Sequence, residues 1–311
     1  MLQQTRVEAV RAKFEAFVQQ FPDPESLADC DDDTLLCAWK GLGYYRRARS
    51  LRAGARRVVA IHGGEIPTDA LAFRELPGVG DYTCGAVLSI AFDTPLPAID
   101  GNVERVSARM LEIEGTLKTK AARVRIEAFI AELHEHARPG EINQALMELG
   151  ATVCIPRRPL CDACPWRNEC AAHAAGRTGE LPTVTVRARP LVVCTEVGVA
   201  RKDGRVLCRR IPRGEINEGQ LCLPGLGVPI PAATDLGAHL VAEHGLVAEV
   251  GEVVATIRHS ITRYRITIEA RALHALPPDE PPGRGLSWED PHDEALPWST
   301  VARKVFGRVE E

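Results

Sequence analysis

The stretch Leu76-Pro-Gly-Val-Gly80-Asp-Tyr-Thr83 decides the fold of the first half of the chain. It lies between two segments with helical periodicity, so we expect it to connect two helices. Gly78 and Gly80 can adopt backbone conformations that are closed to other residues, and amide groups can therefore converge on a phosphate where the second helix begins. The stretch predicts a helix-hairpin-helix that binds DNA without reading its sequence. An ordinary turn between two helices is the alternative.

Helical periodicity extends from Thr5 to about Gly176. In the first helix, apolar residues recur at three- and four-residue spacing and predict one buried face. Short breaks that contain proline or glycine separate the helices that follow. We therefore predict a mostly α domain. The residues of the predicted buried face are Val7, Val10, Phe14, Phe17 and Phe21.

A basic segment from residue 40 to residue 57 precedes the hairpin and contains no acidic residue. Tyr44 and Tyr45 lie among its positive charges. Positive charge interleaved with aromatic rings suits a protein that binds phosphates and fills a gap in a base stack. A helix face exposed to solvent is the alternative. The positive residues are Lys40, Arg46, Arg47, Arg49, Arg52, Arg56 and Arg57.

The segment Pro97-Ala-Ile-Asp100-Gly-Asn-Val103 places a carboxylate directly after an apolar run. An aspartate before a glycine is by itself typical of a turn. Because this segment follows the hairpin closely in the chain, Asp100 is also a candidate carboxylate near bound DNA.

Four cysteines follow in the spacing Cys154-x6-Cys161-x2-Cys164-x5-Cys170. Four thiolates within so short a segment can surround a compact cluster, as in proteins that hold iron–sulfur cubanes. Structural zinc usually takes its ligands as two closely spaced pairs, and only Cys161 and Cys164 form such a pair. We predict an iron–sulfur cluster with a structural role, with zinc as the alternative.

The sequence changes character after the cysteines, and strand patterns begin near residue 188. The runs 191–199 and 205–209, joined through the turn Lys202-Asp-Gly204, predict a β-hairpin. Further strands are expected at 250–257 and 264–273, and a helix at 236–244. We predict a mostly α domain at residues 1–176, a linker at 177–187 and an α/β domain at 188–311.

The chain has 38 Lys and Arg against 42 Asp and Glu in 311 residues, a formal net charge of −4. This balance does not indicate a nucleic-acid-binding protein, so any DNA contact must come from local clusters of positive charge. The clustering of four of the ten cysteines indicates a reducing compartment rather than a secreted disulfide scaffold. No segment approaches the ~18 apolar residues of a membrane helix, so we expect a soluble cytoplasmic protein.

Residues 1–175 resemble the catalytic region of MutY-type adenine DNA glycosylases, members of the endonuclease III superfamily. These enzymes flip adenine mispaired with 8-oxoguanine out of the duplex and cleave its glycosidic bond in base excision repair. The resemblance implies this activity, a [4Fe–4S] cluster on the four cysteines, and double-stranded DNA with A:8-oxoguanine or A:G mispairs as the partner of a nucleoid-associated monomer. The matching blocks are Met1-Leu-Gln-Gln-Thr-Arg-Val7, Gly41-Leu-Gly-Tyr-Tyr45, Leu76-Pro-Gly-Val-Gly80, Ile99-Asp-Gly-Asn-Val103 and Asn143-Gln-Ala-Leu-Met-Glu-Leu-Gly150.

The resemblance also implies roles for single residues. Asp100 would stabilise the oxocarbenium-like sugar, as the second carboxylate of a glycoside hydrolase does. Asn102 would orient that carboxylate. Gln4 and Tyr44 would occupy the gap in the duplex and the stack that faces it, and Gln144 would face the flipped adenine.

Tyr82 decides the subclass of glycosylase that the resemblance implies. In bifunctional relatives such as endonuclease III, a lysine at this position attacks the sugar as an amine nucleophile. Tyrosine cannot form that Schiff base, so we expect base removal without efficient strand cleavage.

A general-acid glutamate of the family lies two residues before the methionine of the first block, which corresponds to a position upstream of Met1. General acid catalysis contributes about 10²–10⁴-fold in rate. We therefore expect a polypeptide that starts at Met1 to be impaired, and a chain extended upstream to carry this glutamate.

The C-terminal region is similar to the Nudix-like domain of the same family. A Nudix pyrophosphatase needs several glutamates on one helix for magnesium, and the corresponding helix here offers only Glu243, so we expect binding without hydrolysis. The segment Ile261-Thr262-Arg263 aligns with the loop that recognises 8-oxoguanine, commonly Phe-Ser-His, and Thr262 keeps the hydroxyl. A plain edge strand is the alternative for this segment.

Two other functions remain open from the sequence. The first is a glycosylase for another mismatch, such as thymine opposite guanine, although such relatives usually lack the C-terminal module. The second is a non-catalytic protein that binds the lesion.

Overall fold

The computed structural model of the protein describes residues 1–3, 5, 7–183, 189–227, 235–261, 263–276 and 283–309. The chain folds into two compact units. The first unit is formed by Met1–Arg52 together with Ala188–Glu311, and the second by Ala53–Arg187.

Helices make up the chain as far as the cysteine loop, as the periodicity predicts. They are α1 (Val7–Gln20), α2 (Pro24–Asp29), α3 (Asp32–Ala38), α4 (Arg46–His62), α5 (Ala70–Arg74), α6 (Asp81–Phe92), α7 (Gly101–Met110), α8 (Lys120–His134), α9 (Pro139–Thr152) and, after a short 3₁₀ turn at Cys161–Ala163, α10 (Ala171–Ala174).

Aspartate side chains begin several of these helices. Asp23, Asp31, Asp69 and Asp100 each accept hydrogen bonds from backbone amides in the first turn of α2, α3, α5 and α7. An N-cap of this kind satisfies amides that have no partner within the helix. The starts of these four helices are therefore encoded by the residue that precedes each of them.

The predicted apolar face of α1 is buried only in part. Val10, Phe17 and Phe21 are buried, and the rings of Phe17 and Phe21 lie 4.9 Å apart. Val7 and Phe14 are 55% and 54% exposed. The prediction was wrong for these two residues, because they lie beside the stripe that the other three form along the helix.

The core of the second unit surrounds α7. Val103 and Val106 of α7 pack in one cluster with Ile126 and Ile130 of α8 and Leu146 of α9, and each of the five is at most 1% exposed. Full burial of one such side chain stabilises a fold by about 1.5–3 kcal/mol. This packing fixes where α7 begins, and with it the position of Asp100.

The C-terminal region combines strands and helices. One sheet has the strand order β1-β6-β5, in which β1 is parallel to β6 and β5 is antiparallel to it. In the other sheet, β3 pairs with β2, β4 and β7. The elements are β1 (Leu191–Val199), β2 (Arg201–Lys202), β3 (Arg205–Arg210), β4 (Leu221–Cys222), α11 (Leu236–His244), β5 (Glu249–Ile261), β6 (Tyr264–His274), β7 (Leu286–Glu289) and α12 (Thr300–Val309).

Local sequence explains the turn and the buried face of this region. Asp203 and Gly204 have φ of 50° and 77°, the left-handed conformation that a two-residue hairpin requires, and they join β2 to β3. The predicted hairpin between the runs 191–199 and 205–209 was wrong, because β1 pairs with β6 and only the two residues of β2 pair with β3. Alternate residues of β6, including Ile266 and Ile268, are buried and pack with Phe306 of α12. None of the helices that the structure describes is long and apolar enough to cross a membrane.

The predicted fold class, a mostly α region followed by an α/β region, is confirmed. The two compact units divide the chain differently from the predicted domains, because residues 1–52 group with the C-terminal region. The domain boundaries at 176 and 188, and the Nudix-like character of the second domain, stay predictions.

Candidate functional site

Asp100 is the N-cap residue of α7 and is half-buried. Its Oδ1 accepts hydrogen bonds from the backbone amides of Asn102 at 2.9 Å and Val103 at 2.8 Å. Its Oδ2 accepts a third hydrogen bond, from Nδ2 of Asn102, at 3.1 Å. Three donors therefore fix the orientation of this carboxylate while part of it remains accessible. The turn that the sequence suggests is in fact the start of a helix.

Asn102 is itself held by Arg105, one turn further along α7. Nη2 of Arg105 donates to Oδ1 of Asn102 at 2.9 Å and to the carbonyl of Gly150 at 2.7 Å. Nε of Arg105 donates to the carbonyl of Cys154 at 2.7 Å. The guanidinium thus connects the end of α9 and the cysteine loop to Asn102, and through Asn102 to the carboxylate of Asp100.

A close approach of two helices supports this arrangement. A Cβ added to Gly150 of α9 would lie 2.6 Å from Cβ of Asn102. Such a distance is too short for non-bonded carbon atoms, so only glycine allows α9 to lie this close to the first turn of α7.

The segment that leads into Asp100 is held by α6 and α9. Asn143 of α9 is fully buried, accepts from the amide of Ala98 at 3.0 Å and donates to the carbonyl of Leu96 at 2.8 Å. A Cβ on Gly85 of α6 would lie 2.1 Å from the carbonyl oxygen of Pro97. The backbone before the carboxylate is therefore fixed on two sides.

Tyr82 lies in the first turn of α6, and its hydroxyl is 3.5 Å from Sδ of Met147. Burial raises the pKa of the Tyr82 phenol, and the negative charge of Asp100 acts in the same direction. The phenol therefore stays neutral at physiological pH, close enough to Asp100 to sense its charge. Gln144, exposed on α9, precedes Met147 by one turn, and its Nε2 donates to the carbonyl of Gly140 at 3.0 Å.

The predicted hairpin lies between α5 and α6. Gly78 has φ of 83°, a conformation that other residues rarely adopt, and Gly80 is the N-cap of α6. No side chain of the described residues caps α6. The first-turn amides of this 12-residue helix can therefore bind an anion.

Tyr44 belongs to the first compact unit and is 53% exposed. Its φ of 48° lies in the left-handed region, and the guanidinium of Arg47 lies 5.5 Å from the centre of its ring. Arg47 in turn donates to the carbonyls of Leu42 at 3.1 Å and Gly43 at 3.2 Å. The loop thus presents an aromatic ring in a strained conformation. Gln4 lies outside the described residues.

Much of the basic segment before the hairpin binds protein groups. Arg52 is buried, pairs with Asp32 and donates to the carbonyl of Cys30 at 2.9 Å. Arg57 pairs with Glu75. Arg49 donates to the carbonyl of Glu218, and Arg47 is engaged with the carbonyls described above. The segment is therefore not a continuous phosphate-binding surface, because these arginines stabilise the fold; Arg46 remains exposed.

The four cysteines line one cavity of the second unit. Burial raises the pKa of the Cys170 thiol. Within the part of the chain that the structure describes, no group of three or more His, Cys, Asp or Glu side chains is arranged to hold a metal ion. The four thiols around one cavity nevertheless fit an iron–sulfur cluster in number and chemistry.

The predicted lesion-reading residue, Thr262, lies outside the described residues. It falls between β5 and β6, where Ile261 pairs with Tyr264. The guanidinium of Arg263 lies 5.5 Å from the centre of the Tyr264 ring. Arg263 is exposed at this end of the sheet, as are Arg258 and Arg265.

The structure adds residues that the sequence does not single out. Arg105 and Asn143 hold Asp100 in place through hydrogen bonds to distant segments. A weak signal exists for Arg105, since it lies three residues after Asn102 and therefore on the same helix face. Asp100, Asn102, Tyr82, Gln144, Gly78, Gly80 and the four cysteines all belong to the second unit, whereas Tyr44 belongs to the first.

Comparison with known proteins identifies relatives of the N-terminal region. A family model described as "HhH-GPD superfamily base excision DNA repair protein" matches residues 1–132. The adenine DNA glycosylase of Rattus norvegicus is 44% identical over 186 residues, which cover 58% of this chain and 36% of that protein. The adenine DNA glycosylase of Homo sapiens is 43% identical over 174 residues, which cover 56% of this chain and 32% of that protein.

This chain therefore spans about a third of the length of these curated relatives. Among solved structures, that of a thermostable thymine-DNA glycosylase matches with a TM-score of 0.50 and 27% identity, and the match covers 56% of this chain and 80% of that chain. The N-terminal region of the chain is thus similar to the HhH-GPD superfamily of base excision DNA repair proteins, and among curated proteins to adenine DNA glycosylases.

Proposed function

We propose that this protein removes adenine from DNA by hydrolysing its N-glycosidic bond. The observation that carries the proposal is the carboxylate of Asp100, held by three donors at the start of α7 and still accessible. Departure of a base leaves positive charge on the sugar, and a fixed carboxylate beside that sugar stabilises the transition state. The adenine DNA glycosylase relatives support adenine as the base.

Two surfaces would bind the DNA substrate. The uncapped start of α6, after Gly78 and Gly80, offers backbone amides to a phosphate. Gln4 would occupy the gap that the flipped base leaves, and the exposed ring of Tyr44 would occupy the stack that faces it. Gln144, on the α9 face next to Met147 and Tyr82, would contact the extruded adenine.

The protein would act as a monofunctional glycosylase. Covalent attack with strand cleavage requires an amine near the sugar, and Tyr82 lies at the position where bifunctional relatives carry lysine. The charge of Asp100 contributes to the raised pKa of this phenol, but a phenol cannot form a Schiff base. Borohydride trapping should therefore yield no protein–DNA adduct, whereas adduct formation at high yield would contradict this part of the proposal.

The four cysteines would hold a [4Fe–4S] cluster. When bound, the cluster cross-links residues 154–170 and fixes this loop against α7. Arg105 connects α7 to the same loop and also holds Asn102, so the fixed loop would help to keep Asp100 in position. Iron and acid-labile sulfide in protein purified anaerobically would test this assignment, and bound zinc would contradict it.

The C-terminal module would recognise the base opposite adenine. α11 carries one acidic residue, Glu243, so this helix cannot supply the carboxylate cluster of a magnesium pyrophosphatase. Thr262 would contact 8-oxoguanine, and Arg258, Arg263 and Arg265 around it would attract the phosphate backbone. We further propose that the protein acts as a monomer on A:8-oxoguanine and A:G mispairs, in the cytoplasm at the nucleoid.

Single-turnover kinetics on three duplexes test the proposed function. The substrates carry adenine opposite 8-oxoguanine, thymine opposite guanine, and an abasic site as a binding control. We expect release of adenine only, and the Asp100→Asn variant is the matched control for contaminating activity. Release of thymine would support the mismatch alternative, which the thymine-DNA glycosylase match favours. Tight binding without release of either base would support a lesion-binding protein.

A further inference from the structure

Arg109 is a buried cation that has no carboxylate partner among the described residues. The residue lies on α7 and is 2% exposed. Its Nε donates to the carbonyl of Leu181 at 2.8 Å, and its Nη2 donates to the carbonyl of Pro156 at 2.7 Å. Its Nη1 donates to the carbonyl of Ile155 at 2.9 Å and lies 3.2 Å from Sγ of Cys154. Among the described residues, its acceptors are thus backbone carbonyls and one sulfur.

Carbonyl groups solvate a guanidinium but do not neutralise it. A charge removed from water is costly unless an opposite charge lies close by. A second cation makes the imbalance greater, because Arg105 also binds the carbonyl of Cys154 at 2.7 Å. The two guanidinium groups therefore favour a negative charge on the sulfur of Cys154.

We propose that Arg109 is the counter-ion of the iron–sulfur cluster, with its guanidinium bonded to the ligand sulfur of Cys154. The inference rests on the proposed cluster, whose four thiolates bring negative charge into the cavity that Arg109 lines. A fixed positive charge beside a ligand stabilises the thiolate form and hence iron binding. It also favours the more reduced of two cluster oxidation levels, because that level carries one more negative charge.

Arg167 provides a matched control, because it lines the same cavity but is neutralised differently. Its Nη1 pairs with Oδ1 of Asp162 at 3.1 Å, and its side chain is 48% exposed. Its Nε donates to Nε2 of His173 at 3.1 Å. Water and Asp162 balance this charge, so its removal should leave the cluster almost unaffected.

The test compares wild-type protein with Arg109→Gln, Arg109→Lys and Arg167→Gln, each purified anaerobically. Three quantities are measured: iron and sulfide per chain, the rate at which a chelator bleaches the visible absorbance, and the reduction potential on an electrode. The electrode accepts one electron from the cluster while all iron–sulfur bonds stay in place. Circular dichroism checks that each variant is folded.

We expect Arg109→Gln to lose iron roughly 10- to 100-fold faster than wild type. Its reduction potential should shift to more negative values, since oxidation no longer places positive charge next to a cation. Arg109→Lys keeps the charge but loses the planar fork, so its potential should remain near that of wild type. Arg167→Gln should match wild type in all three measurements.

Three results would overturn the counter-ion role. The first is an unchanged reduction potential in Arg109→Gln, and the second is an equal shift of the potential in Arg109→Gln and Arg167→Gln. The third is an equal loss of iron from Arg109→Gln and Arg109→Lys, which would indicate that Arg109 acts through packing alone. If Arg109→Gln does not fold, Arg109→Lys decides: a wild-type potential supports the role and a shifted one contradicts it. Absence of iron from the wild-type protein would instead contradict the proposed cluster. The proposed adenine release does not depend on that result, because the assay on three duplexes tests it separately.

Discussion

Asp100 and Asp235 occupy the same local position in two different regions of the molecule. Each is an extended N-cap residue, Asp100 at the start of α7 and Asp235 at the start of α11. Asp235 is exposed, and among the described residues its side chain accepts one hydrogen bond, from the amide of Ala238 at 3.0 Å. Asp100 accepts three hydrogen bonds, and Asn102, one of its donors, is held in turn by Arg105.

The difference shows that a helix cap and a candidate catalytic carboxylate can be the same local structure. Asp100 differs from Asp235 because a second layer of polar groups, Asn102 and Arg105, surrounds it and because α9 approaches closely at Gly150. In the α/β module, the cap stabilises a helix and has no such layer among the described residues. Substitutions that preserve the cap but remove the charge therefore separate the two roles.

The largest effect is expected for Asp100→Asn. Asparagine caps helices as well as aspartate does, so the free energy of unfolding should stay close to that of wild type. Loss of the negative charge beside the sugar should slow single-turnover adenine release by at least about 10²–10³-fold. The matched Asp235→Asn variant should change neither quantity. Adenine release by Asp100→Asn at a rate close to wild type would remove Asp100 from the proposed mechanism.

A smaller effect is expected for Arg105→Gln. Without the guanidinium, Oδ1 of Asn102 loses its donor, and the amide that holds Oδ2 of Asp100 is free to rotate. Hydrogen bonds to charged groups contribute about 1.5–3 kcal/mol, so we expect adenine release to slow by roughly tenfold or more. Binding to abasic DNA should change much less.

A double-mutant cycle with Asn102→Ala tests whether Arg105 acts through Asn102. If it does, the double variant should be no slower than the slower single variant. Additive effects of the two substitutions on the rate would mean that Arg105 acts by another route.

The next effect concerns stability alone. Asp235→Ala removes the cap of α11 and should lower the free energy of unfolding by about 1 kcal/mol. Adenine release by the folded protein should be unchanged, because the hydrogen bond that the structure describes for this carboxylate lies within the first turn of α11. Chemical denaturation measures the first quantity and single-turnover kinetics the second. A loss of activity without a loss of stability would show that the cap in the α/β module is more than structural.

The smallest effect is expected for Tyr82→Phe, and it should appear only at high pH. Burial raises the pKa of Tyr82 above its ordinary value of 10.0, with a further contribution from Asp100. A raised pKa in the folded state means that this contribution to stability is complete below pH 10.0 and is lost as the pH rises through the folded-state pKa. Tyr82→Phe should remove that alkaline loss and leave adenine release near pH 7 within about twofold of wild type. Denaturation curves across this pH range provide the measurement.

Local patterns predict the elements of this fold well. The helix predicted at 236–244 is observed at Leu236–His244, and the two-residue turn at Asp203 and Gly204 joins β2 to β3. Both are encoded by neighbouring residues, through an N-cap aspartate, an alternating pattern and a glycine in a left-handed conformation. Predictions of this kind need no knowledge of the rest of the chain.

Contacts between distant segments were not predictable in the same way. Arg49 and Arg52 belong to a basic run that suggests phosphate binding, yet each binds a group far away in the sequence. Arg105 and Arg109 both bind the carbonyl of Cys154, which lies 49 and 45 residues further on. The sequence alone does not reveal whether the guanidinium of an arginine binds DNA, a carbonyl or a carboxylate. Its role depends on which acceptors the tertiary structure brings to it.

The glycine at position 150 has a consequence for how this protein can vary. A methyl group there would collide with Asn102, so even Gly150→Ala would push α9 away from α7. Such a change would alter no reacting group, yet it would displace the carboxylate by moving its support. If the proposed function is right, such a substitution would slow adenine release although it leaves every reacting group in place.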